Sequence, residues 1–281
     1  MTVKIVTDST CDLPQEIMAK GGVTVVPMYI NVGSTSYADG VDITRPEFYA
    51  KLPSFPQHPT TSFPAPNIFK EVYERLTDEG ADEILSIHLA SGLSGTANAA
   101  LLGSREAKSA PVTVLDSGQF SLAMGFAVQK ALDLIAQSVP VKEIVAALKD
   151  QLKRTYMYAA VDNFEYLKRS GRVSALAAGI GSLLRIKPIL AMHDNKASSM
   201  KARTRKRAIQ TMIDAVTHLA PLERLGLIHT EDPNPADELR ERIRNLWPAG
   251  TDVFSVSVTP VVGAHVGMGG LGLAVVSARR N

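Results

Sequence analysis

Residues 91–96, with the sequence SGLSGT, form the stretch of this chain best suited to bind an anion. They follow the apolar run 84–89 and precede the Ala/Leu-rich run 97–102, an order that predicts a strand, a loop and a helix start. Backbone N–H groups at a helix N-terminus lack intrahelical partners and carry the positive end of the helix dipole. Together with the hydroxyls of Ser94 and Thr96, they would form an anion pocket. The alternative is that one of these hydroxyls only caps the helix.

Three further segments carry side chains or backbone suited to ligand contact. Residues 60–64, TTSFP, place a hydroxyl cluster before a proline turn, and residues 116–118, DSG, follow a predicted strand. Residues 263–270 are rich in glycine, which lets a ligand approach the backbone closely, and they contain His265. For His265, a structural role in the fold is the alternative to ligand contact.

Ser94, Asp116 and His265 occur in the chain order of an α/β-hydrolase triad. The nucleophile motif of that class is Gly-x-Ser-x-Gly, however, and residues 92–96 lack the final glycine. The spacing from Ser94 to Asp116 is also too short for the usual intervening strands and helices. A Ser-dependent lipid or ester hydrolase therefore stays as the alternative function. His, Cys and Asp show no metal-ligand spacing, so the sequence predicts no metal site.

Strand-like and helical segments alternate along the chain, which is typical of an α/β fold. The predicted strands are 3–8, 23–30, 84–89, 112–115, 156–161, 189–193, 198–203, 225–229, 253–258 and 272–276. The predicted helices include 123–137, 141–155 and a segment through 166–168. The pattern begins again with a strand near residue 154. We therefore expect an N-terminal α/β domain over 1–153 and a C-terminal α/β domain over 154–281.

Composition predicts a soluble cytoplasmic protein. The 281 residues are 45% hydrophobic and 21% charged, ordinary values for a folded globular chain. No apolar run reaches the roughly 18 residues of a membrane-spanning helix, and the first residues lack the pattern of a signal peptide. Cys11 is the single cysteine, which excludes an intramolecular disulfide and fits a reducing compartment.

Charge is distributed unevenly along the chain. Residues 153–207 carry 13 Lys and Arg against 3 Asp and Glu, a net charge of +10, whereas the rest of the chain sums to −8. Such segregation favours an anionic partner, and a solvated basic helix face around 203–207 is the alternative. No aromatic residue lies between Arg169 and Arg207, so a stacking platform for single-stranded nucleic acid has little support. We predict no nucleic-acid partner.

Residues 174–190 are apolar on nearly every side of a helix, with small residues among them. A helix of that kind is buried or faces an apolar cavity. Packing against a sheet is the alternative, and the two interpretations are compatible.

Seven short motifs occur along the chain in a fixed order. They are KIVTDSTCDL at 4–13, TSFP at 61–64, LSGT at 93–96, DS at 116–117, Tyr-Leu-x-x-x-Gly-Arg at 166–172, IKPIL at 186–190 and Gly-x-His-x-Gly at 263–267. In these motifs and their order the sequence strongly resembles the DegV family of fatty-acid-binding proteins. The resemblance spans nearly the whole chain, and the combination is far more specific than any one motif.

The resemblance implies a two-domain α/β fold, each domain a sheet flanked by helices, with one long-chain fatty acid such as palmitate in a tunnel. In the family, the fatty acid carboxylate meets the Thr-Ser turn and the Leu-Ser-Gly-Thr loop. Carried onto this sequence, the head group would contact Thr61, Ser62, Ser94 and Gly95, with His265 close by.

Some family members present the bound lipid to a bacterial fatty acid kinase, which phosphorylates its carboxylate. By resemblance, Arg172 and Arg203 would lie on the face that meets this kinase. The implied function is that of a lipid carrier with no catalytic residues and no cofactor of its own.

Overall fold

Strands of the described chain form three sheets, flanked by helices. The structure is a computed structural model and describes residues 1–162, 164–171 and 186–279. This mixed architecture is the α/β class that the alternation of strands and helices predicts. Residues 174–185 of the apolar stretch lie outside the described residues.

The first sheet is parallel and has the strand order β2-β1-β6-β7. Its strands are β1 (Val3–Asp8), β2 (Thr24–Val26), β6 (Glu83–His88) and β7 (Val112–Asp116). The helices that connect or flank them are α1 (Gln15–Lys20), α3 (Pro66–Asp78) and α4 (Thr96–Glu106). Because the strands are parallel, the loops after β1, β6 and β7 meet at one edge, where ligands usually bind in open α/β sheets.

The predicted strand at 23–30 is divided in the structure. It forms β2 and β3 (Tyr29–Val32), which belong to different sheets. The division falls at Pro27, which has no N–H for a strand ladder, and the next N–H, of Met28, bonds the Ser9 hydroxyl at 3.1 Å. β3 pairs instead with two strands of a small antiparallel sheet, β4 (Thr35–Ala38) and β5 (Thr60–Ser62). Helix α2 (Arg45–Lys51) and the 3₁₀ turn Leu52–Ser54 connect β4 to β5.

The third sheet contains six strands in the order β10-β9-β8-β13-β11-β12. Neighbouring strands are antiparallel except for β11 and β12. The strands are β8 (Thr155–Ala160), β9 (Lys187–His193), β10 (Lys196–Ala202), β11 (Leu222–His229), β12 (Phe254–Ser257) and β13 (Leu271–Ser277). The helices are α7 (Phe164–Arg169), α8 (Arg205–Leu219), α9 (Pro233–Arg242) and α10 (Pro260–Val266), with a 3₁₀ turn at Arg244–Leu246.

Helix α5 (Ser121–Ala136) lies against both larger sheets, and α6 (Val141–Lys153) follows it in the chain. Close approach at two glycines fixes the position of α5. A Cβ on Gly125 would lie 3.2 Å from Leu13, and one on Gly226 of β11 would lie 2.3 Å from Leu122. The largest apolar core cluster therefore contains residues from both halves of the chain. The division into domains at 1–153 and 154–281 stays a prediction.

Candidate functional site

An apolar cavity lies at the carboxyl edge of the parallel sheet. Of the eighteen described residues that line it, fourteen are apolar, and the four polar ones are Thr10, Thr61, Ser94 and His265. The apolar members are Met28, Leu89, Leu93, Phe120, Met157, Ala159, Leu167, Leu190, Ala191, Met192, Ala197, Val261, Val262 and Val266. The walls thus combine the loops after β1 and β6 with strands β8, β9 and β10 and helix α10. Such a lining suits a ligand with a long apolar part and a small polar end.

Ser94 lies in the loop between β6 and α4. Its Oγ lies 2.8 Å from Thr96 Oγ1 and 3.4 Å from the Thr96 backbone N. The residue at the N-cap position of α4 is Gly95, and no side-chain hydrogen bond caps the helix there. The Thr96 N–H, the first of α4, nevertheless bonds the Ser94 hydroxyl, so helix capping and anion binding both stay predictions for this hydroxyl. The positive end of this 11-residue helix lies next to Ser94.

Thr61 and His265 meet across the cavity lining, although 204 residues separate them in sequence. Thr61 Oγ1 on β5 and His265 Nε2 on α10 are 2.9 Å apart. The N-terminal end of α10 is held by a buried carboxylate, since the backbone N–H of Thr259 donates to Asp12 Oδ1 at 3.1 Å. Asp12 also forms an ion pair of 3.0 Å with Arg45.

Contact between Phe63 and Gly95 joins the Thr-Ser turn to the Ser94 loop. A Cβ on Gly95 would lie 2.7 Å from the exposed Phe63 ring, so a larger residue at position 95 would require the ring to shift. Ser62 lies on the opposite face of β5 from Thr61, as strand geometry requires. It is exposed, its hydroxyl accepts a hydrogen bond from Asn31 Nδ2 at 3.2 Å, and it is not among the described lining residues.

Thr10 is a lining residue that the sequence analysis did not single out. Its hydroxyl donates to Asp8 Oδ1 at 2.5 Å, and Asp8 Oδ2 lies 3.0 Å from His88 Nδ1. The chain continues from His88 Nε2 to Ser86 Oγ at 2.7 Å and from Ser86 to Tyr73 Oη at 2.8 Å. All five residues are buried. The acidic-hydroxyl loop after β1 was the available signal, but it does not say which hydroxyl faces the cavity.

Asn195 is a second residue that sequence inspection missed. It lies at the tip of the β9–β10 hairpin and contacts the loops after β6 and β7 through Ser91, Gly92 and Asp116. No sequence motif marks it, because its partners lie 79 to 104 residues away in the chain.

The sequence matches a family model described as "Uncharacterised protein, DegV family" over residues 2–278. The chain belongs to the DegV family. A DegV domain-containing protein of Streptomyces coelicolor is 36% identical over 280 residues, which cover 98% of each chain. Two similar solved structures are described as fatty acid binding. The DegV protein of Thermus thermophilus has a TM-score of 0.90, 31% identity and coverage of 99% of this chain and 100% of its own. DegV of Bacillus subtilis has a TM-score of 0.89 and 30% identity, with 99% of each chain covered.

In this DegV chain the structure describes only one of the two arginines predicted at a partner interface. Arg203 is exposed, follows β10 directly and is not among the described lining residues of the cavity. Arg172 lies outside the described residues. Part of the basic segment is neutralised, since Asp162 pairs with Arg205 at 2.6 Å and with Lys187 at 3.1 Å. Burial acts to raise the pKa of Asp162, but the two cations outweigh it and the pKa lies below its usual value.

The hydrolase order Ser94, Asp116, His265 does not form a connected triad in the DegV fold. Asp116 accepts hydrogen bonds from the backbone N–H groups of Ser91 and Gly118 and from Asn195 Nδ2. Ser94 bonds Thr96, and His265 Nε2 bonds Thr61. Asp116 is thus not placed to orient His265 as a base, and no geometry favours the alternative function.

The described part of this DegV chain contains neither a candidate membrane span nor a candidate metal site. No helix there combines the length and apolar character needed to cross a bilayer. Over the same residues, no group of three or more His, Cys, Asp or Glu side chains is arranged to hold a metal ion.

Proposed function

We propose that this chain binds one long-chain fatty acid, such as palmitate, with its carboxylate toward Thr61, Ser94, Gly95 and His265. The observation that carries the proposal is the cavity lining, in which four polar side chains interrupt a wall of fourteen apolar ones. The proteins of T. thermophilus and B. subtilis, described as fatty acid binding, share the fold over almost the full chain and support the same ligand class here.

Burial of the hydrocarbon tail supplies most of the affinity. Each buried methylene contributes about 0.8 kcal/mol, so about 14 methylenes contribute roughly 11 kcal/mol before the costs of association. A hydrogen bond to a charged group contributes about 1.5–3 kcal/mol. The described lining encloses about 100 Å³, less than a tail of about 14 methylenes needs, so binding of the whole tail requires the walls to move apart. The tail therefore determines affinity, and the head-group residues determine orientation.

The carboxylate is favoured at the polar end by donors and by a helix dipole. The Ser94 hydroxyl donates to it, and the Gly95 region presents the N-terminal N–H groups of α4. His265 and Thr61 form one hydrogen-bonded pair, so either side chain supplies a donor depending on the histidine tautomer. The contribution of Ser62 stays a prediction, and its exposed position on the other face of β5 requires contact from outside the cavity.

Presentation to a kinase is the second part of the proposal. A separate kinase subunit transfers the γ-phosphoryl group of ATP to a carboxylate oxygen of the bound lipid, giving an acyl phosphate and ADP. In this scheme the chain is a carrier without a catalytic centre of its own. Arg203 lies in the basic segment, where its charge stabilises the anionic phosphoryl group as it is transferred. Arg172 would belong to the same face by family resemblance.

Replacing Arg203 with alanine is expected to lower phosphoryl transfer at least tenfold while lipid occupancy stays at the wild-type level. The side chain is exposed and does not line the cavity, so its loss should not affect the tail. Transfer is measured as ATP-dependent acyl phosphate formation with a purified fatty acid kinase. Arg244→Ala is the control, since Arg244 is an exposed arginine elsewhere on the chain. Equal loss of transfer and lipid in Arg203→Ala would reject the assignment.

Identification of the co-purified lipid tests the fatty acid proposal directly. Purified protein is extracted with organic solvent under denaturing conditions, and the extract is analysed by mass spectrometry. We expect about one long-chain fatty acid per chain. Protein that carries no fatty acid and takes up no added palmitate would contradict the proposal. Turnover of an aryl ester that Ser94→Ala abolishes would instead support the hydrolase.

A further inference from the structure

The β9–β10 hairpin ends in a turn whose asparagine contacts the head-group loop. Asn195 Nδ2 donates to Ser91 Oγ and to Asp116 Oδ2, both at 3.0 Å. Its Oδ1 accepts a hydrogen bond from the Gly92 backbone N–H at 3.3 Å. One side chain from the six-stranded sheet therefore holds two loops of the parallel sheet.

The backbone of this turn is seated against the same loops. A Cβ on Gly92 would lie 3.2 Å from the Asn195 carbonyl oxygen, and one on Gly118 would lie 3.0 Å from the Asn195 nitrogen. Asp194 and Asn195 have φ values of 48° and 59°, in the left-handed region that Asn and Asp tolerate and glycine prefers. The turn thus delivers the Asn195 side chain to the loops in a defined direction.

These contacts lie beside the proposed lipid cavity, both on the hairpin and on the Ser94 loop. In the hairpin, Met192 and Ala197 flank the turn and line the cavity. In the loop, Gly92 is followed directly by Leu93 and Ser94, which also line it. The loop is a compact turn, because the N–H groups of Leu93 and Ser94 both donate to the Ala90 carbonyl, at 2.9 and 3.2 Å. Fixing Ser91 and Gly92 therefore fixes the position of Ser94.

We propose that Asn195 is a positioning residue for head-group recognition, which acts by holding the Ser91–Gly92 segment so that Ser94 points at the ligand's polar end. This inference rests on the fatty acid function proposed above. Asn195 does not touch the ligand itself. Loss of the Asn195 side chain changes the preference of the protein for one ligand head group over another. The apolar wall and its contribution to affinity stay in place.

Asn195→Gly tests this role with Asp194→Gly as the matched control. Glycine suits the positive φ at both positions, and each variant adds the same backbone freedom to the same turn. The readout is the ratio of affinities for palmitate and hexadecanol, which share a tail of the same length. We expect Asn195→Gly to lower the preference for the acid about fivefold and Asp194→Gly to change it less than twofold. A second variant, Asn195→Asp, loses both Nδ2 donors and places a carboxylate beside Asp116, so its loss should be at least as large.

A double-mutant cycle with Ser94→Ala tests whether Asn195 acts through Ser94. In the Ser94→Ala background, Asn195→Gly should change the acid preference less than twofold. An unchanged preference in Asn195→Gly alone, or an undiminished effect in the Ser94→Ala background, would overturn the inference. Wild-type protein that binds no palmitate, or does not prefer it over hexadecanol, would instead contradict the proposed function.

Discussion

Ala197→Phe is expected to weaken palmitate binding about 100-fold. Ala197 is half-buried on the edge strand β10, and it lines the cavity. A benzyl group there would occupy the space of about four methylenes of the tail. The free energy of binding then loses about 3 kcal/mol that burial of these methylenes contributes. Because the strand pairs with one neighbour among the described strands, the larger side chain should be accommodated without loss of the fold. Affinity is measured by displacement of a fluorescent fatty acid.

Ser198→Phe is the matched control for this enlargement. Ser198 is the next residue of β10, it is exposed, and it is not among the described lining residues. We expect its palmitate affinity to stay within about twofold of wild type. Ala197→Phe protein that is folded and still binds palmitate at the wild-type level would show that the tail does not occupy this cavity.

Asp39→Asn is expected to stabilise the protein at alkaline pH. Asp39 is 4% exposed, and its carboxylate accepts a hydrogen bond from Ser9 Oγ at 2.8 Å and another from the Val261 backbone. No ion pair to Asp39 occurs among the described residues. Burial, aided by the nearby charge of Asp12, raises the pKa of Asp39 from 3.8 to about 7. The ionised carboxylate is therefore a cost to the folded state, which a neutral amide avoids.

The sign of the pH dependence follows from this raised pKa. Between pH 4 and 7 the folded state binds more protons than the unfolded state, so wild-type stability falls as the pH rises through that interval. The raised pKa lowers the free energy of unfolding by about 4 kcal/mol at pH 8 and by less than half of that at pH 5. The gain in the free energy of unfolding from Asp39→Asn should shrink accordingly as the pH is lowered.

Denaturant unfolding at pH 8 and pH 5 measures this difference. Asp237→Asn serves as the control, because Asp237 is exposed on α9 and its charge is solvated in both states. We expect that control to change stability by less than about 0.5 kcal/mol at either pH. A stability gain in Asp39→Asn that is the same at both pH values would show that Asp39 does not titrate between them.

Much of the fold follows from local sequence patterns. The predicted strands at 3–8, 84–89 and 112–115 correspond to β1, β6 and β7, within one or two residues at each end. The predicted helices at 123–137 and 141–155 correspond to α5 and α6. These elements carry long apolar runs or regular apolar spacing, and both signals are contained within the segment itself. The α/β class and the membership of the DegV family were predicted from sequence and are confirmed.

For the candidate site, the motifs predicted which residues take part, and the structure decided which way their side chains point. Ser94, Thr61 and His265 were predicted from motifs, and the structure places all three in the lining of one cavity. Their contact with a ligand stays a prediction. The direction of each side chain was not predictable from the motifs, because Ser62 belongs to the same motif as Thr61 and faces away.

The sequence by itself determined the elements, the family and the loops that carry hydroxyls, since each depends on residues close together in the chain. Only the tertiary structure decided that Pro27 separates two sheets, that Thr10 faces the cavity and that Asn195 holds the Ser94 loop. It also decided that Arg205 and Lys187 both pair with Asp162, which offsets one of their two charges. These outcomes depend on contacts between segments far apart in sequence. Their geometry is set by how the sheets pack on α5, which no local pattern encodes.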